Sequence, residues 1–115
     1  MNTLSNTNPG NPLHKVVHCN TLAEVRQHID ALDARIVDLL IERSGYVAQA
    51  GRIKQSASQI VDTPRIESII ERVRAQARDA GAPEAVMEST YRAMIAGFID
   101  FERGEFRHQH PGVAS

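Results

Sequence analysis

Asn20 to Gln55 reads "NTLAEVRQHIDALDARIVDLLIERSGYVAQAGRIKQ". Apolar residues recur at Leu22, Val25, Ile29, Leu32, Ile36, Leu39, Leu40, Tyr46, Val47, Ala50 and Ile53. The steps are mostly three and four, the period of one helix face. Thr21 and Glu24 open the run at the spacing of a capping box, in which hydroxyl and carboxylate each accept from an otherwise unpaired amide. Gly45 and Gly51 each weaken helix propensity by about 1 kcal/mol. Neither has a proline or turn cluster beside it, so the helix is expected to run through both. It then covers about 35 residues and about 50 Å, at 1.5 Å per residue. A compact chain of this size has a radius of gyration of only about 13 Å. One copy cannot cover both ends of such a rod, yet the apolar face continues along it. A second copy, in an intertwined helical homodimer, is the economical cover.

Beyond this helix, "SASQIVD" breaks the pattern and reads as a loop. "DTPRIESIIERVRAQARDAG" restarts it, with Asp62 or Thr63 as N-cap, Pro64 at the first turn and Gly81 as the stop. "APEAVMESTYRAMIAGFIDFERGEF" forms a third helix, with Pro83 near its start and a stripe of Val86, Met87, Tyr91, Met94, Ile95, Phe98, Ile99 and Phe101. Strand alternation and internal repeats are missing. The expected fold is therefore all-α, a three-helix protomer with a very long first helix. Residues 1–19 read as a disordered leader, 20–107 as the helical domain and 108–115 as a flexible tail.

The totals agree with one domain of 115 residues. Aromatic residues are 4% of the chain and Trp is absent, so the core must come from aliphatic side chains packed between helices. Net charge is −1, which gives no global attraction to nucleic acid or an anionic membrane, and no helix face carries a basic stripe. The only cysteine, Cys19, excludes an internal disulfide and a thiolate-rich metal site. No apolar run reaches transmembrane length. The leader has no basic region followed by an apolar one, so no signal peptide is read. A cytoplasmic location is expected, without nucleic-acid or membrane partners, and without a metal or cofactor. The histidines of the tail, His108 and His110, read as solvated.

Within the opening helix two charges lie on the wrong face. Arg43 and Lys54 are eleven residues apart. At about 100° per residue that is three turns plus about 20°, so they share one face, and it is the face of Val47, Ala50 and Ile53. Arg26, seventeen residues before Arg43, is turned about 100° away; in a dimer it could reach the partner's site. Solvated heads on apolar stems account for Arg35, Arg72, Arg74 and Arg78. They account poorly for Arg43 and Lys54. Converging cations inside an apolar bundle need an anion to offset desolvation. Glu102 can supply one from within, and a bound dianion can supply another. Guanidinium groups suit carboxylates because they hold them in a bidentate fork. Arg65, at the first turn of the second helix, would add its charge to a helix N-terminus. Other chemistries are weaker. A Gly-rich phosphate loop is absent, as are His-x-x-x-His and Cys-x-x-Cys pairs. Ser44 has no local base, and Tyr46 and Tyr91 read as core.

"VRQHIDALDARIVDLLIERSGYVAQAGRIK", followed after a short loop by "DTPRIESIIERV", resembles the all-helical chorismate mutase family. The resemblance covers roughly Leu22 to Glu105. It rests on the combination of Arg26, "LDxxIVxLLxER", "GRIK" and an Arg eleven residues after the Lys. It implies a three-helix protomer in an intertwined dimer with two active sites. It implies that Arg43 and Arg65 hold substrate carboxylates and that Arg26 enters from the partner chain. Lys54 would bond the ether oxygen and a carboxylate; Asp62 would lie near the substrate, and Phe98 would line it. The family's reaction is the concerted rearrangement of chorismate to prephenate, in aromatic amino-acid supply, with no covalent intermediate and no cofactor. The enzyme's task is to hold a flexible dianion in its reactive shape and to stabilise charge growing on the ether oxygen.

Two positions depart from the family pattern. The second donor to the ether oxygen is Gln in many relatives, whereas here the position is Glu102. A carboxylate cannot donate, but a carboxylic acid can, so activity is expected to rise toward acid pH and Glu102→Gln to flatten that dependence. Many mutases have Glu where this chain has Ile66. An aliphatic residue there is similar to the isochorismate pyruvate lyase branch, which makes salicylate and pyruvate from isochorismate. Chorismate mutase is the expected activity. The alternatives are that lyase and a helical interaction module without catalysis.

Overall fold

Thr21, in an extended backbone conformation, caps the first helix, α1 (Leu22–Ile53). Its hydroxyl oxygen accepts from the Glu24 amide at 3.1 Å. The hydroxyl donates in turn to the Glu24 carboxylate at 3.2 Å, so Glu24 meets the cap's side chain and not, as the capping box predicts, its amide. α1 runs unbroken through Gly45 and Gly51 for 32 residues, about 48 Å. It ends just short of the expected point because Lys54 turns to an extended ψ of 141° and becomes the C-cap. This computed structural model describes residues 10–112. Among them the chain forms three α-helices and no strand.

The stretch after Lys54, expected as a plain loop, contains a 3-10 turn at Ala57–Gln59 with its own capping box between Ser56 and Gln59. The second helix, α2 (Thr63–Ala80), starts at Asp62 as N-cap with Pro64 in its first turn. It stops at Gly81, whose φ of 74° is left-handed. The Gly81 amide donates to Arg78 O and the Ala82 amide to Ala77 O, a Schellman ending that disfavours any residue with a Cβ at position 81. The third helix, α3 (Glu84–Gln109), continues past Arg107. The start of the expected flexible tail is therefore helical, and His110 stacks on Phe106. At the other end, Pro12–Lys15 form a 3-10 turn and Asn11 is only 5% exposed. The described part of the expected disordered leader is thus ordered, because Asn11 donates to Ala80 O at 3.1 Å. The rest of the leader, 1–9, and the tail residues 113–115 lie outside the described residues.

The chain divides into two units, Met1–His18 with Asp62–Ile95 and Cys19–Val61 with Ala96–Ser115. In the first, α2 buries Ile69, Ile70 and Ala77, and α3 buries Ile95. A cavity of about 550 Å³ there is lined by Asn11, Leu13, Val73, Ala77, Met87 and the half-buried Tyr91. Across the exposed surface of this unit Arg92 holds Glu67 and Glu88, Arg74 holds Glu84 and Glu88, and Arg78 holds Glu84. The Arg92 hydrogen bond holds the Glu67 carboxyl below its ordinary range, and those of Arg92 and Arg74 do the same to Glu88. The Arg78 hydrogen bond does so to Glu84.

The second unit joins α1 to the C-terminal part of α3. Phe106 is its most buried side chain, at 1% exposure, with Ile60 also buried. Gly51 is where α3 comes closest: a methyl placed there would lie 3.4 Å from Glu102 O and from Glu105 Cβ. That is ordinary contact for one carbon and leaves no room for a longer side chain. The apolar stripe of α1 stands outside this core. Leu22, Leu32, Ile36 and Leu39 are between 50% and 63% exposed. Tyr46, expected as core, is exposed as well, since its side chain belongs to a stripe that none of the described residues covers. No helix among the described residues is long and apolar enough to cross a membrane.

Candidate active site

Five of the expected site residues lie in the second unit, and four of them, Arg43, Lys54, Phe98 and Glu102, lie where α1 faces the C-terminal part of α3. Lys54 leaves the end of α1 and donates from Nζ to Glu102 Oε2 at 2.5 Å. Glu102 is 7% exposed, so this ion pair is largely removed from water. The Gly51 contact explains why: with no side chain at 51, the Glu102 backbone and Cγ settle against α1. A charge-assisted bond in such surroundings is stronger than one at the surface. The Lys54 side chain is about a quarter exposed. An ammonium has three donors, and the Glu102 bond uses one.

Arg43 lies on α1 with its Cζ 4.8 Å from the centroid of the Phe98 ring. Phe98 in turn meets Phe101 edge-on, with centroids 6.4 Å apart. The ring covers one face of the guanidinium, an attraction of the cation–π kind. It does nothing for the N–H groups along the guanidinium edge. Nη1 of Arg43 is buried and has no hydrogen-bond partner. Leaving a charged donor buried and unsatisfied is costly, and a carboxylate presented to that edge would remove the cost. Phe98 and Glu102 are four residues apart on α3 and so share a face. Arg43 and Lys54 share a face of α1 in the same way. Two cations from one helix therefore meet a ring and a carboxylate from the other.

Arg26 is exposed on α1. Seventeen residues separate it from Arg43, about 26 Å along the helix axis. That is beyond the span of a small dianion, so Arg26 cannot serve the Arg43 site of its own chain. Asp62, Arg65 and Ile66 belong to the first unit, at the start of α2. Asp62 caps that helix, its Oδ1 accepting from the Arg65 amide at 3.0 Å. Arg65 is exposed and Ile66 half-buried. Ser44 donates to Ile41 O at 2.6 Å, a bond back along the helix that gives it no base.

The family described as chorismate mutase type II matches residues 25–103 of the chain. That span is most of the protein and takes in α1, α2 and most of α3. The chain belongs to the chorismate mutase type II family. It is also similar to an isochorismate pyruvate lyase of Pseudomonas aeruginosa, at 30% identity over 96 residues, covering 84% of this chain and 94% of that protein. The protein is thus an enzyme of the chorismate mutase type II family, with the all-helical fold that goes with it.

Two residues packed beside these groups in this family member had not been singled out by charge or periodicity. Gly51 is one, and its signal in the sequence was its survival within a helix it weakens. His110 is the other. Its Nε2 lies 3.2 Å from both Gly51 O and Arg52 O, and its ring stacks on Phe106 with centroids 4.4 Å apart. Phe106 and His110 are four apart, which places them on one helix face. That spacing was legible, but "RHQHPGVAS" reads as a tail.

Proposed function

We propose that the protein is a chorismate mutase, converting chorismate to prephenate, and that it works as a homodimer. The observation that carries this reading is the Lys54–Glu102 pair, its carboxylate buried, on the face that also holds Arg43 with its unpartnered Nη1. In the rearrangement a carbon–oxygen bond breaks as a carbon–carbon bond forms, within one molecule. No atom enters or leaves, so the protein's part is positioning and charge stabilisation. Arg43 and Arg65 hold the two carboxylates. A free hydrogen of the Lys54 ammonium meets the ether oxygen as negative charge grows there. Glu102 sets the Lys54 direction and, when protonated, offers a second donor. Phe98 packs beside the ring, and Asp62 stands near the substrate. Preplaced cations need little reorganisation in the transition state, so their contribution appears in kcat.

The exposed stripe of Leu22, Leu32, Ile36 and Leu39 supports the dimer, and the axial distance of Arg26 from Arg43 supports its entry from the partner. Both are tested by mixing two inactive variants, Lys54→Ala and Arg26→Ala. A mixed dimer holds one site with both residues intact. Equal mixing should restore about a quarter of native activity, whereas no recovery after full subunit exchange means Arg26 is not shared. The reading also places the enzyme in the cytoplasm and in aromatic amino-acid supply.

A second reading, isochorismate pyruvate lyase, is favoured by Ile66 and by the named similarity to the Pseudomonas aeruginosa lyase. Glu102 favours the mutase, because it holds the Lys54 ammonium, whose free hydrogens can donate to the ether oxygen. Purified protein incubated separately with chorismate and with isochorismate decides the matter. Prephenate from chorismate is the expected product. Salicylate without prephenate establishes the lyase. Failure to bind either substrate leaves a helical interaction module.

A further inference from the structure

We propose that His110 is a positioning residue for Lys54, fixing the end of α1 from which the ammonium projects. The inference rests on the reading of Lys54 as a group that meets the substrate. The last carbonyls of a helix have no amide partner within it. At the end of α1, Ala50 O accepts from the Lys54 amide at 2.9 Å. Gly51 O and Arg52 O come next, and His110 Nε2 stands 3.2 Å from each. Carbonyl oxygens only accept, so Nε2 carries the hydrogen and shares it between the two. The imidazole is itself held in place. It stacks at 29° on Phe106, the most buried side chain in the unit, and the His110 amide donates to Phe106 O.

The other side of Lys54 is fixed too. Gln59 Oε1 accepts from the amides of Gln55 and Ser56, the Ser56 hydroxyl oxygen accepts from Ser58, and Ile60 anchors the turn in the interior. Lys54 is therefore a single extended residue between a locked turn and a helix end that His110 holds. Its side chain is long and rotamer-rich, so the Nζ–Glu102 bond alone does not fix where the free ammonium hydrogens point. Anchoring the backbone on both sides narrows that freedom. His110 touches two carbonyls and a ring and is not among the groups assigned to the substrate. Its effect passes through the α1 backbone.

Two substitutions separate the hydrogen bond from the packing. His110→Phe keeps a ring on Phe106 and loses the donor, whereas His110→Gln keeps an N–H donor and loses the ring. Two readouts are taken on the full-length chain: hydrogen exchange at the Lys54 amide, followed by NMR, and kcat and KM with chorismate and with isochorismate. Loss of one such bond is expected to speed Lys54 amide exchange and to lower kcat by roughly fivefold each in His110→Phe, with KM within about twofold. His110→Gln is expected to stay within about twofold of native in both. Unchanged Lys54 exchange in His110→Phe overturns the proposal, whatever the substrate is. Equal effects in the two variants overturn it as well, since they would assign the role to ring packing. A native protein that turns over neither substrate, yet shows the donor-dependent change at Lys54, upholds the positioning and removes the functional reading alone.

Discussion

Two sets of charges cross between helices, and they behave oppositely. In the first unit Arg74, Arg78 and Arg92 meet Glu67, Glu84 and Glu88 at the surface, and every member has a partner of opposite sign. In the second unit Lys54 and Glu102 are paired largely out of water, while Arg43 keeps a buried nitrogen unpartnered. The exposed lattice is complete, screened by salt and contributes little per pair. The buried set is short of an acceptor, and its charges stay strong in poor solvent. Charge that is finished at the surface organises a helix pair. Charge left unfinished inside keeps a hydrogen-bond donor unspent.

The contrast predicts where activity breaks. Lys54→Ala should cost the most, roughly a thousandfold in kcat, in line with the loss of one preplaced donor to a developing oxyanion. Steady-state assay with the true substrate measures it, and a loss under tenfold would place Lys54 outside the chemistry. Arg43→Met should cost roughly a hundredfold in kcat/KM, the worth of about 3 kcal/mol of carboxylate binding. The same variant should unfold at equal or higher denaturant, because an unsatisfied buried charge gives way to an apolar chain of similar length. If denaturant midpoint and activity fell together, Arg43 would be structural.

Glu102→Gln addresses the pair itself. Its amide oxygen still accepts from Lys54 Nζ while the carboxylate charge is gone, so kcat/KM should fall roughly tenfold. An unchanged kcat/KM removes the charge of Glu102 from the chemistry. The surface lattice should give the smallest effect. The carboxyls of Glu67, Glu84 and Glu88 are held below 4.5 by their arginines. A depressed folded value means the contribution is fully present above about pH 4.5 and fades as pH falls through the depressed value. Glu67→Gln should therefore shift Tm by about 2 °C or less at neutral pH, by nothing once the carboxyls are protonated, and by less in high salt. Thermal melts at pH 7 and pH 3, each with and without salt, test this. Activity should not change.

Much of this contrast can be read from the chain. Period and caps give α1 almost to its last residue, the stop at Gly81 and the start of α2 to within one residue, at Asp62 or Thr63. They give these because helix boundaries are set by local backbone chemistry. The shared face of Arg43 and Lys54 follows from spacing alone. The ends are where reading failed. Pro12–Lys15 and His108–His110 carry tail-like composition, and contacts remote in sequence, Asn11 with Ala80 O and His110 with Gly51 O, add to their local ones. Nothing local predicts a partner 69 or 59 positions away.

The sequence by itself determined the helices, their apolar faces and the family, because each depends on neighbours within a few turns or on the spacing of residues along the chain. Only the tertiary structure decided that Glu102 pairs with Lys54, that Gly51 is the crossing point of α1 and α3, and that Arg43 is left one acceptor short. Those facts arise where two helices far apart in the chain approach each other. At that range packing distance and burial, rather than periodicity, select which charges meet.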